Sequence, residues 1–189
     1  MMADGYADRM EALEPWQLPR LSLVVGEHAA TQPMLELAAR LAARGPLRVL
    51  DGGNRFNVYP VARSLRLLSA DSAAALDRIQ LARAFTCYQM LTLLGETPPV
   101  ECPTLVLDFL ATFYDENVPL QESARLLNLS LAELRRLSQG APVVVSARRP
   151  PEVGSSRLPL LQVLLSSVPQ VFQVDPAPEA PDAFQMPLW

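Results

Sequence analysis

Apolar residues in this chain fall into short runs separated by turn formers, and the runs alternate in character along the sequence. Leu21-Ser22-Leu23-Val24-Val25 is brief, rich in β-branched residues and closed by Gly26, which predicts a buried strand. A helix is expected after the loop that follows. Thr31 can cap it through its hydroxyl, and Pro33 fits a first turn where a missing donor is harmless; Met34, Leu37, Ala38 and Leu41 then recur at helical spacing until Gly45-Pro46. Leu47 to Leu50 reads as a second strand ending in the turn cluster Asp51-Gly52-Gly53-Asn54. Tyr59-Pro60 to Leu68 fits a helix, Leu76 to Ala84 favours helix by propensity, and Tyr88 to Leu94 is again helical. Thr104 to Leu107 predicts a strand, Leu120 to Ser138 one long helix or two short ones, and Pro142 to Ser146 another β-branched strand. The loop from Arg148 to Gly154 leads to a helix from Arg157 to Ser167 and a last strand from Val171 to Val174.

Strands alternating with helices predict an α/β fold, a three-layer α/β/α arrangement in which helices cover both faces of a mostly parallel sheet. Ligands of such sheets sit beyond the carboxyl ends of the strands. Residues 1–20 carry Pro15 and Pro19 around Trp16 with no sustained period, and are expected to form a leader. Residues 21–175 make one core domain, and residues 176–189 form a proline-rich tail expected to be extended or disordered.

Composition narrows the chemistry. Half of the 189 residues are apolar, enough to bury a core without staples. Cys87 and Cys102 are too few for a disulfide framework, and no run has the pattern of a signal peptide, so a soluble cytoplasmic protein is expected. The richest apolar stretch, Leu158 to Val168, is far below the roughly 20 residues that span a bilayer. All 16 basic residues are arginines. A Schiff-base lysine, a lysine base and a phosphate-loop lysine are therefore excluded. With His28 the sole histidine, a tetrahedral zinc site is not expected either. The net charge of −4 argues against a surface that grips nucleic acid all round, while leaving room for a local basic patch.

Several runs, in order, carry a likeness. Val24-Val25-Gly26-Glu27 leads into a phosphate-loop position, and Asp51-Gly52-Gly53-Asn54-Arg55-Phe56 matches a turn after a second strand. Leu81-Ala82-Arg83-Ala84-Phe85 and Leu105-Val106-Leu107-Asp108 look like an alanine-arginine-alanine strand and a Walker B strand. Over residues 21–175 the chain resembles the RecA-like ATPases, most closely the archaeal and eukaryotic recombinases and their paralogues. Asp51 to Arg63 and Phe113-Tyr114-Asp115-Glu116 are also similar to bacterial proteins of the superfamily. The resemblance implies a strand over Arg78 to Arg83 in place of the helix that propensity favours. It also implies ATP and magnesium as cofactors, and DNA or an active recombinase or other ATPase as partners, with a homo-oligomer left open.

The departures are as informative. A working loop reads glycine, four residues, then glycine, lysine and a hydroxyl residue, whose backbone donors, charge and hydroxyl hold the phosphates and the metal. Here Gly26 is followed by Glu27, His28, Ala29 and Ala30, and then Thr31, Gln32 and Pro33 replace the three critical residues. Gln32 has no charge, and Pro33 has neither hydroxyl nor backbone donor. The family's catalytic glutamate aligns with Gly53. No catalytic residue, metal site or working cofactor is therefore expected.

Gly26, Glu27, His28, Thr31, Gln32 and Asp108 remain as a degenerate nucleotide site. Each also has a plainer reading: His28 a solvated loop histidine, Asp108 a strand-end cap in place of a magnesium ligand, and Glu27 a charge that repels phosphate. Asp115 and Glu116 are an acidic pair or simply a charged loop. Arg148 and Arg149 fall where the family places a DNA-binding loop, with Arg157 near, and arginine forks suit phosphates. Arg83 is a candidate buried partner for an acid such as Asp51. Three functions follow from these readings: a non-hydrolysing accessory of recombination or repair, a nucleotide sensor in which Asp108 and Arg55 compensate for the loop, or an assembly scaffold that makes no nucleic-acid contact.

Overall fold

The computed structural model describes residues 18–151 and 155–174. The expected leader and tail, and residues 152–154 of the arginine loop, lie outside the described residues. The described chain is α/β, with a six-stranded sheet whose strand pairings are parallel, in the order β3-β2-β4-β5-β1-β6. The strands are β1 (Leu21–Gly26), β2 (Leu47–Asp51), β3 (Ile79–Arg83), β4 (Thr104–Leu107), β5 (Val143–Ala147) and β6 (Gln170–Val174). The helices are α1 (Thr31–Ala42), α2 (Val58–Leu68), α3 (Ser72–Asp77), α4 (Cys87–Glu96), α5 (Leu120–Gly140) and α6 (Leu158–Ser167). Two short 3-10 turns, Glu27–Ala30 and Phe109–Phe113, follow β1 and β4.

Alternation along each central strand splits the core in two. On β5, Val143, Val145 and Ala147 join one apolar cluster while Val144 joins the other; on β4, Val106 and the pair Leu105 and Leu107 divide the same way. One face is covered by α1, α2 and α3, which bury Met34, Leu37, Leu41 and Leu65. The opposite face takes α4, α5 and α6 together with Phe109 and Phe113, whose rings pack 5.1 Å apart. Each fully buried side chain of this size contributes about 1.5–3 kcal/mol.

Local chemistry explains the element ends. Asn57 accepts from the Tyr59 N–H to start α2, Asp71 from Ala74 to start α3, and Thr86 from Gln89 to start α4. The segment from Leu76 to Ala84, helical by propensity, is divided between the end of α3 and strand β3, which pairs in register with β2 from Leu47 opposite Ile79 to Asp51 opposite Arg83. Leu120 to Ser138 belongs to one helix, α5, without interruption. Among the described residues no helix is long and apolar enough to cross a membrane.

Candidate functional site

Because the strands are parallel, Gly26, Asp51, Leu107 and Ala147 end β1, β2, β4 and β5 at one edge of the sheet. The loop after β1 begins with a close approach: a Cβ on Gly26 would stand 2.9 Å from the Val174 carbonyl oxygen. Beyond it, His28, Ala29 and Ala30 take φ of 50°, 57° and 50°, three consecutive left-handed residues without a glycine among them. This turn buries the methyls of Ala29 and Ala30 and leaves Glu27 and His28 exposed.

Thr31 is not the cap that its hydroxyl predicted. It is the first residue of α1, Ala30 precedes it with no side-chain cap, and the Thr31 hydroxyl donates back to the His28 carbonyl. Gln32 donates through Nε2 to Glu36 at 2.9 Å, lying along the helix surface. Pro33 sits in the first turn, as expected.

Residues of this loop and of the start of α1 line two clefts. Gly26, Glu27 and His28 line one of about 590 Å³ together with Arg148 and Arg149. Thr31 and Gln32 line another of about 910 Å³ together with Arg55 and Arg83. The candidate residues Gly26, Glu27 and His28 thus line a different space from Thr31 and Gln32.

Asp108, immediately after β4, is fully buried and left-handed, with φ 45° and ψ 51°. Its Oδ2 accepts from Arg55 Nε at 3.0 Å and from Arg148 Nε at 3.2 Å, and its N–H donates to Ser146 Oγ at 3.0 Å. Oδ1 is buried without a partner among the described residues. Asp108 thus makes no side-chain cap and is the hub of an ion-pair cluster. Gly53 packs directly on it: a Cβ there would meet the Asp108 Cβ at 2.5 Å and Cγ at 2.7 Å. Gly53 therefore has no room for a side chain in this arrangement.

Asp51 shapes the neighbouring loop. Its Oδ1 accepts from the Arg55 N–H and its Oδ2 from the Phe56 N–H, both at 2.9 Å, and Oδ2 also accepts from Arg83 Nε at 3.4 Å. The expected pairing of Arg83 with Asp51 is present, with the arginine side chain 37% exposed and the acid buried.

The three arginines assigned to nucleic acid part company. Arg149 is exposed on the cleft beside Gly26. Arg148 is held by Asp108, and its carbonyl accepts from the Tyr114 hydroxyl at 2.9 Å. Burial, reinforced by the Asp108 charge and opposed by Arg148, pushes the Tyr114 phenol far above its ordinary range, so it serves as a donor. Arg157 corrects the expectation. It is buried, donating to Ser123 Oγ at 3.1 Å, to the Asp115 carbonyl at 2.9 Å and to the Val118 carbonyl at 2.6 Å, and it clamps the start of α6 to the loop before α5. No outside phosphate reaches it in this arrangement.

Asp115 and Glu116 are exposed, and Asp115 Oδ1 closes a local turn by accepting from the N–H and Nδ2 of Asn117. Among the described residues no group of three His, Cys, Asp or Glu side chains could hold a metal ion. Cys87 and Cys102 are free and buried, and burial pushes both thiols up. Sequence reasoning named Arg55 only as a compensating group and passed over Ser146 and Tyr114. Nothing in their spacing tied them to Asp108, since their contacts span 53, 38 and 34 positions respectively, the last to its neighbour in the cluster, Arg148. No protein-family model and no curated protein matches this chain.

Proposed function

We propose that this chain is a non-hydrolysing protein of RecA-like build that works in the cytoplasm by binding, as a recombination or repair accessory that partners an active recombinase or other ATPase. The alternation of strands and helices, and a sheet that brings the loop after β1 and the end of β4 to one edge across the single strand β5, support that build.

One observation carries the non-hydrolysing part: the Asp108 carboxylate is already shared by two guanidiniums. A magnesium ion beside it would face both of them. At an effective dielectric near 20, two unit charges about 4 Å apart interact by about 4 kcal/mol, and the dication doubles each repulsion. Partial exposure of the arginines softens this, but the surroundings still oppose a metal where ATP hydrolysis needs one. The self-closed loop from Gly26 to Thr31 and the filled space at Gly53 act in the same direction. Of the expected nucleic-acid arginines only Arg149 is exposed, which weighs toward a protein partner.

Equilibrium titration with a fluorescent ATP analogue and magnesium tests the ancestry of the loop. Thr31→Gly, Gln32→Lys and Pro33→Thr together are expected to improve binding without giving full hydrolysis, because Gly53 still supplies no carboxylate. An affinity left unchanged by the triple substitution would show that this loop was never a phosphate site.

A further inference from the structure

The larger cleft was not anticipated from the sequence, and its construction is specific. Ile79, Leu81 and Arg83 are alternate residues of β3 and all line it, so one face of the strand forms its floor. Four strand intervals of ~3.3 Å make that floor about 13 Å long. Leu35 of α1 and Phe56 of the loop after β2 add apolar wall. The space stays open because β3 is the last strand in the sheet and the helix before it, α3, has only 6 residues.

Two guanidiniums stand at the carboxyl end of this floor, and each is oriented by a buried acid. Arg55 is tied through Nε to Asp108, and Arg83 through Nε to Asp51, with Arg83 Nη2 also on the Phe56 carbonyl at 3.4 Å. Both acids are fully buried, while the arginines are 30% and 37% exposed. Among the described residues the two Nη groups of Arg55 have no partner. The forks are therefore pre-positioned with donors to spare, beside an apolar surface, in a space within the size range of small-molecule sites. Asp77, at the opposite end, sets a limit, since it disfavours a second negative charge there.

We propose that this cleft binds a small organic anion, with its phosphate or carboxylate head on Arg55 and Arg83 and its apolar body along Leu35, Phe56, Ile79 and Leu81. This goes beyond the non-hydrolysing reading and stands or falls separately from it, since it calls on neither the lost lysine nor a metal.

The probe is anilinonaphthalene sulfonate, an anion on a flat apolar body, titrated by fluorescence against the full chain. A single saturable site is expected. Arg55→Gln should weaken it about tenfold, the loss of one charge-assisted contact. Leu81→Asp, which sets a carboxylate on a partly exposed floor position without touching the arginines, should weaken it at least as much. Arg66→Gln, the same charge change on an exposed α2 residue, should leave it unchanged. Circular dichroism of each variant separates loss of the site from loss of the fold. Displacement of the probe by phenyl phosphate marks a phosphate site, and displacement by benzoate a carboxylate site. Unsaturable binding, equal weakening by Arg66→Gln, wild-type affinity in Leu81→Asp, or displacement by neither competitor would overturn the proposal.

Discussion

Gly53→Ala adds one carbon to the chain and strikes the centre of the ion-pair cluster. The new Cβ would lie 2.5 Å from the Asp108 Cβ and 2.7 Å from its Cγ, about 1 Å inside ordinary carbon–carbon contact. Gly53 does not have a left-handed backbone, so alanine meets no conformational penalty there, and the clash acts alone. Asp108 cannot retreat easily, since its own N–H is fixed to Ser146 and its Oδ2 to Arg148. The loop after β2 must lift instead, pulling Arg55 from Asp108. Overpacking costs about 1–3 kcal/mol. Loss of a hydrogen bond between charged groups adds about 1.5–3 kcal/mol, cut toward the lower figure by the exposure of Arg55. A destabilisation of about 2.5–4.5 kcal/mol is expected in urea denaturation followed by far-ultraviolet circular dichroism. Asp108→Gly removes the obstructing side chain at a φ of 45° that glycine adopts freely, so Gly53→Ala in that background should cost less than about 1 kcal/mol. Equal losses in the two backgrounds would refute the steric reasoning, as would a single variant within about 0.5 kcal/mol of wild type.

His28→Gly, at an exposed left-handed residue, should raise stability by about 0.5–1 kcal/mol in the same assay, whereas Ala29→Gly, which gives up a buried methyl, should show no such gain. Arg157→Ala should cost about 2–4 kcal/mol, since it removes hydrogen bonds from a charged donor to a buried serine and two carbonyls, yet leave any affinity of the folded protein for single-stranded DNA unchanged in fluorescence anisotropy. Arg149→Ala should weaken that affinity and flatten its salt dependence by about 0.7, the share of one phosphate contact. Burial raises both cysteine thiols and so lowers their thiolate fraction; a disulfide reagent at mildly alkaline pH should modify Cys87 and Cys102 only as fast as the protein opens.

How far the sequence spoke depended on whether the signal was local. Strands β1, β2, β4 and β5 are short, mostly apolar runs whose burial needs no long-range information, and they lie within a residue or so of where the pattern put them. Strand β3 was different. Leu76 to Ala84 favours helix by itself; the strand expected over Arg78 to Arg83 from the resemblance is present as Ile79–Arg83, and pairing with β2 holds it extended. The 6-residue helix α3 passed unnoticed because its alanines carry little amphipathic signal. At the site, the absence of lysine and the identities of Thr31, Gln32, Pro33 and Gly53 could be read position by position. Three left-handed residues at 28–30 could not, because none of them is glycine or asparagine. Nor could the convergence of Arg55 and Arg148 on Asp108, which joins loops after three different strands. Arg157 was misplaced because its charge indicated exposure, while its two Nη groups are held in the interior by carbonyls and a serine and its Nε is buried without a partner among the described residues.

The central claim is that the edge of the sheet that resembles an ATPase site is occupied by its own ion pairs and does not hydrolyse ATP. Phosphate release by the purified full chain, measured with ATP and magnesium in the presence and absence of single-stranded DNA, tests this most directly. The predicted result is no turnover above buffer in either condition, with Asp108→Ala indistinguishable from wild type. Turnover by the wild-type chain that disappears in Asp108→Ala would contradict the account, because it would show that the carboxylate held by Arg55 and Arg148 still serves a metal.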